Sequence, residues 1–227
     1  MSPTTARERA RAELTAEIVE LARAQLATVG AAGLSLRAVA RELGMVSSAI
    51  YRYFPSRDDL LTRLIVDGYD ALGAAAEQAD DPAAAPLDRW VGICRAVRRW
   101  ALAHPHEYAL LYGSPVPGYA APPDTVPAAV RVAVVLGRVL GDAAAAGQLT
   151  AQAPGRSAGT VSAAVAPVFG GEQHALDDAV RARALLAWSG LYGTVSFELF
   201  GHFVGSVTDA DTFFADSMRD LAGLLGL

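Results

Sequence analysis

Residues 45–61 read MVSSAIYRYFPSRDDLL, and they gather hydroxyl, phenol and guanidinium groups into one short span. On a helix at about 100° per residue, Val46, Ile50 and Phe54 share one arc. Ser47, Ser48, Tyr51 and Arg52 fall together on the opposite arc. The chemistry such a face offers is recognition without bond-making. Small hydroxyls let a backbone approach base edges closely, while a tyrosine hydroxyl and an arginine reach phosphate oxygens. Tyr53 lies at the edge of the apolar arc, where it could flank DNA or cover the core.

Other reactive groups do not converge. His104, His106 and Glu107 are neighbours in the stretch HPHE, but proline separates the histidines. The i, i+4 spacing that sets two metal ligands on one helical face is missing. All nineteen basic side chains are arginine, so a P-loop lysine is excluded. Asp80-Asp81 and Asp177-Asp178 stand at helix edges, where acids suit the N-terminal dipole or water. These features predict a protein that is not an enzyme, with no catalytic residues, no metal site and no cofactor. The alternative is an all-α ligand-binding protein or enzyme without DNA binding.

The elements that must present the 47–52 face are helical. Leu14, Ile18, Leu21, Ala22, Leu26 and Val29 recur at three- and four-residue intervals, predicting a helix from about Glu13 to Val29. GAAG ends it. Ser35 caps a second helix that Gly44 stops. A third is expected over 46–54, closed by Pro55. Ser56 and Asp59 open a fourth, reaching about Gln78. Further helices are expected over 87–104, 128–146, 157–166, 176–204 and about 211–225, with a proline-rich loop at 114–127. No alternating apolar pattern calls for a sheet, so the fold class is all-α.

The net charge of −5 is unevenly spread. Residues 1–63 carry nine arginines against seven acids, and the remainder ten against seventeen, giving a mildly basic head on an acidic body. Cys94 is the only cysteine, so no intrachain disulfide can form. The N-terminal residues lack an apolar signal region, and no uncharged stretch is long enough to span a bilayer. A cytoplasmic location is expected, with no membrane partner.

LSLRAVARELGMVSSAIYRYFPSRDDLL, residues 34–61, resembles the DNA-binding region of TetR-type transcriptional regulators. The Gly44 turn, the IYRYF core and the Pro-Ser-Arg-Asp stretch carry the likeness. The C-terminal half resembles, less specifically, the group with a WHG-type ligand domain, through HPHEYALLYGSPVPGY at 104–119 and AWSGLYGTVSFELFGHF at 187–203. The resemblance implies a helix-turn-helix domain at 1–58 and a helical effector-binding and dimerisation domain at 59–227. It implies a homodimer on a near-palindromic double-stranded operator, and a ligand-responsive regulator, most often a repressor released by a small-molecule effector. By position, Ser47 and Ser48 would face base edges, with Ala49 offering a methyl contact. Tyr51, Tyr53 and Arg57 would contact phosphates, as Arg52 could. Ser35 and Arg37 would touch the backbone across the groove. Tyr53 stands where histidine is common, and Val46 where a small polar residue is usual.

In the body, Trp100, His104, Tyr108, Tyr112, Trp188 and Tyr192 are candidates to line an effector pocket, since such pockets are mainly apolar with a few orienting polar groups. Two stripes are candidates for the dimer interface. One is Leu185, Ser189, Ser196, Leu199 and Phe203. The other is Phe214, Met218, Leu221 and Leu225. Paired with their two-fold mates they would form a four-helix contact.

Overall fold

The structure is a computed structural model that describes residues 5–150, 159–162, 165, 168–169 and 176–227. Among the described residues every regular element is helical: α1 (Ala6–Gly33), α2 (Leu36–Glu42), α3 (Arg57–Ala79), α4 (Pro86–Ala103), α5 (Pro105–Tyr112), α6 (Val126–Ala129), α7 (Arg131–Ala145), α8 (Asp178–Leu199) and α9 (Ala210–Leu225). Half of the helix expected over 157–166 falls outside the described residues. No helix among those described is long and apolar enough to cross a membrane.

Helix α1 begins about two turns before the expected Glu13. Thr5 and Glu8 explain the extension: the Thr5 hydroxyl accepts the Glu8 amide at 3.2 Å, and the Thr5 amide donates to the Glu8 carboxylate at 2.7 Å. This reciprocal cap satisfies two otherwise orphaned donors and holds a segment that buries nothing. The Thr5 amide also holds the Glu8 carboxyl below its usual range. At the far end Gly30 adopts φ 67°, ψ 175°, which interrupts the helical backbone after Val29.

Helix α2 is capped by Ser35. It ends at Gly44, whose φ of 65° lets the Met45 amide fold back to the Ala40 carbonyl at 2.9 Å. The helix expected at 46–54 is not an α-helix. Residues 47–49 form a turn and Ile50–Arg52 a single 3-10 turn, with i to i−3 bonds from the Ala49 amide to Val46 and from Tyr53 to Ile50. Val46 supplies no capping oxygen, and a span this short cannot offset its own nucleation without one.

The chain forms two compact units. The first comprises residues 1–68 with 105–125, and the second comprises 69–104 with 126–227. In the first unit α1 packs on α2 and α5 over Ile18, Val39, Ile50, Leu60 and Leu61, all fully buried. In the second, α4 is surrounded by α7, α8 and α9. Trp90 is buried there, its indole N–H donating to the Met218 carbonyl at 3.1 Å. Arg89, also buried, pairs with Asp80 at 2.7 Å and Asp142 at 2.9 Å, so the buried charge is compensated on two sides. Arg98 grips Glu198 through two 2.6 Å bonds and reaches Asp211. Arg131 on α7 reaches Asp70 and Glu77 on α3, each at 2.7 Å. Gly73 makes room for it: a Cβ there would lie 2.7 Å from the Arg131 Cβ.

Candidate nucleic-acid interface

The 45–54 segment keeps the two-faced character expected of it, although its backbone is a turn. Ile50 and Phe54 are buried in the first unit's core, which pins the segment from beneath. Ser47, Ser48, Tyr51 and Arg52 are exposed, with Tyr51 at 42 %. Ala49 and Tyr53 are half-buried. Val46 departs from expectation. Helical phasing put it on the buried arc, but it is 73 % exposed because the chain is not yet helical there. Its apolar side chain joins the exposed face beside Ser47.

Two further sequence candidates flank this face. Arg37 is exposed on α2. Ser35 is half-buried, and its hydroxyl accepts the Ala38 amide at 3.4 Å as a helix cap. Its own amide donates to Gln25 Oε1 at 3.1 Å. Gln25 is a buried polar side chain on α1 that the sequence reading missed; its place in the apolar stripe, between Ala22 and Leu26, was the available signal.

Arg57, expected to contact phosphate, also has partners inside the fold. Its guanidinium donates to the carbonyls of Ala31 at 2.7 Å, Ala32 at 3.1 Å and Leu34 at 3.2 Å. Those carbonyls lie where α1 breaks, and the cation supplies donors to them. The side chain ties the end of α1 to the start of α3.

Arg11 was also missed. It lies on the early turns of α1, one turn past the Thr5–Glu8 cap. Its Nη2 donates to the Arg52 carbonyl at 3.0 Å, and its guanidinium carbon sits 5.3 Å from the centre of the Tyr53 ring. A hydrophobic-period search passes over this residue because its side chain is charged.

These geometries match a known lineage. Residues 18–64 match the family described as bacterial regulatory proteins, tetR family, and residues 90–221 match the tetracyclin repressor-like C-terminal domain. The chain is 44 % identical over 233 residues to the HTH-type transcriptional regulator Rv1816 of Mycobacterium tuberculosis (strain ATCC 25618 / H37Rv), covering 96 % of this chain and 95 % of that protein.

The chain belongs to the TetR family of transcriptional regulators.

A shorter match, 27 % identical over 96 residues, links it to the HTH-type transcriptional repressor KstR2 of Mycolicibacterium smegmatis, over 42 % of this chain and 46 % of that one. Among solved structures, the regulatory protein SCO4313 superposes with a TM-score of 0.75 at 36 % identity, over 96 % of this chain and all of that one. As a TetR-family regulator the chain is a DNA-binding protein of a non-enzymatic family, and the 45–54 segment lies within the matched DNA-binding region.

The second unit revises parts of the body reading. Phe214, Met218 and Leu225 were candidates for a dimer surface, but each is at most 1 % exposed. They face the chain's own core, because α9 packs its apolar stripe against α4. Leu185, Ser196, Leu199, Phe203 and Leu221 are half-buried, and only Ser189 of the two stripes is exposed. The exposed apolar residues of α8 and its exit are Leu186, Phe197 and Phe200, at 58, 52 and 45 %. They are one position out of phase with the predicted stripe, which is a rotation of about 100°.

The candidate effector residues are divided between the two units. Tyr108, fully buried, and half-buried Tyr112 belong to the first unit, their rings 5.1 Å apart. Trp100, His104, Trp188 and Tyr192 belong to the second. His104 stacks on Trp100 at 4.9 Å and its Nδ1 meets the Trp100 carbonyl at 2.9 Å. The Trp188 and Tyr192 rings are tilted against each other with centres 5.1 Å apart. A cavity of about 420 Å³ in the second unit is bounded by Trp100, Arg99, Gln78 and the small side chains of Ala75, Ala79 and Ala96.

Proposed function

We propose that this TetR-family regulator is a dimeric repressor that holds a near-palindromic operator through its 46–52 surface and releases it when a small molecule binds the second unit. The observation that carries the reading is the exposure of Ser47, Ser48, Tyr51 and Arg52 directly above fully buried Ile50. Hydroxyls and a phenol held on an anchored turn can reach base edges and phosphates without a large ordering cost on binding.

In this reading Ser47, Ser48 and Ala49 meet the bases, Tyr51, Arg52 and Tyr53 meet phosphates, and Ser35 and Arg37 approach the opposite backbone. Arg57 supports the fold. Two copies associate through the outward faces of α8 and α9, where Leu186, Phe197 and Phe200 meet Phe213 and Leu224 of the second helix pair. The cavity beside Trp100 and Arg99 is the candidate effector site. Its volume suits a small organic molecule, and Arg99 favours an anionic one. Because α3 is continuous from the first unit into the second, it is the candidate link between effector and operator.

A binding titration on the DNA upstream of the chain's own coding region tests the reading. Tight, salt-dependent binding that exceeds binding to a random duplex of equal length supports it. Equal affinity for both duplexes removes the operator reading. Sedimentation of a Phe197→Arg variant tests the dimer face: it should sediment as a monomer, and an unaltered dimer would place the interface elsewhere.

A further inference from the structure

The DNA-facing segment is a single 3-10 turn with no capping side chain at its start. Left alone, such a turn would sample several conformations, because few backbone bonds hold it. Its far end, besides packing Phe54 on the core, is held by a side chain from α1. Arg11 Nη2 bonds the Arg52 carbonyl at 3.0 Å, and the same guanidinium lies 5.3 Å from the Tyr53 ring centre. The donor comes from forty-one residues away in sequence. The Arg52 carbonyl is one of the orphan acceptors at the end of the turn, and a cation is the favoured partner there.

We propose that Arg11 is a positioning residue for operator recognition: it braces the Arg52–Tyr53 end of the reading turn and so fixes the direction of Ser47, Ser48 and Tyr51. The early turns of α1 exist for this brace. They bury nothing, as residues 5–13 are all exposed. The reciprocal Thr5–Glu8 cap nevertheless builds a helix there, and it sets Arg11 one turn later, opposite the Arg52 carbonyl. The planar guanidinium suits both tasks, since one N–H bonds the carbonyl while the plane covers the ring. The proposal rests on the 47–52 surface being the DNA-reading face. The two are separable: Tyr51→Ala tests the face, and Arg11→Ala leaves every group of that face in place.

Arg11→Ala should lower affinity for the specific duplex about tenfold, by loss of one charge-assisted bond and one cation–aromatic contact. Affinity for random DNA should change less than about twofold, and the slope of log affinity against log salt should stay the same. Hydrogen exchange should speed at the Tyr53 and Phe54 amides, which bond Ile50. If affinity falls equally on both duplexes and the slope drops by about 0.9, Arg11 is a phosphate ligand and the brace is overturned. Unchanged specific affinity overturns it as well. Should Arg11→Ala fail to fold, Arg11→Lys decides. A brace predicts partial loss of specificity, because the ammonium cannot cover the ring while bonding the carbonyl; full wild-type specificity would show that charge alone matters.

Discussion

Replacing Arg57 with alanine should unfold the protein more readily without altering how its DNA affinity depends on salt. Three carbonyls, those of Ala31, Ala32 and Leu34, receive the guanidinium at 2.7 to 3.2 Å. A hydrogen bond to a charged group contributes about 1.5–3 kcal/mol. The three are not independent, and the side chain is 30 % exposed, so water replaces part of what is lost. A total near 2–3 kcal/mol is the reasonable figure. For a chain of this size each kcal/mol moves the melting point by about 2–4 °C, so a fall of roughly 4–12 °C is expected. Circular dichroism melts, run beside DNA titrations at several salt concentrations below the melting range, make the assay. The structural account predicts a lower Tm and an unchanged salt slope. A variant with wild-type Tm and a slope smaller by about 0.9 would show that Arg57 touches phosphate, and would refute the reasoning.

Ile50→Ala should cost about 2–5 kcal/mol by opening a cavity under the reading turn, seen as a lower denaturant midpoint with an unchanged m-value. Gly73→Ala should destabilise by about 1–3 kcal/mol, against the usual helical gain, because its Cβ would fall 2.7 Å from the Arg131 Cβ; a raised Tm would show that α3 and α7 are not so close. Hydrogen bonding from Arg131 holds the Glu77 carboxyl below its ordinary 4.5, and Thr212 does the same for Asp209 below 3.8. Both groups bind protons less readily folded than unfolded. Their contribution is therefore complete above about pH 5 and drains away as pH falls through 4 and below, so Tm should be flat from pH 7 to 5 and then decline, and Glu77→Gln should shallow that decline.

What the sequence disclosed follows from which interactions are local. Ser35, Gly44 and Ser56 are local signals that act through their own backbone, and the helix ends they mark are present. The alternation of Ile50 and Phe54 against Ser47, Ser48 and Tyr51 is also local, and it survives the change from α-helix to 3-10 turn. Val46 shows the limit: its burial depended on the first turn being helical, and no capping oxygen makes it so. The internal roles of Arg57 and Arg11 were missed because their partners are backbone carbonyls over twenty and forty residues away, and a carbonyl has no letter in the sequence. The α9 stripe could not be apportioned from the sequence, because Phe214 and Met218 are buried in their own unit's core and that burial depends on α4, more than a hundred residues earlier.

The central claim is that the surface from Ser47 to Arg52 reads DNA. Its most direct measurement is fluorescence anisotropy on a duplex from upstream of the chain's coding region, comparing wild type with Tyr51→Ala, a substitution at a 42 % exposed site that spares the core. The account predicts an unchanged Tm together with specific affinity reduced at least about tenfold. Undiminished binding by the folded Tyr51→Ala protein, or by one that also lacks the Ser47 and Ser48 hydroxyls, would contradict it.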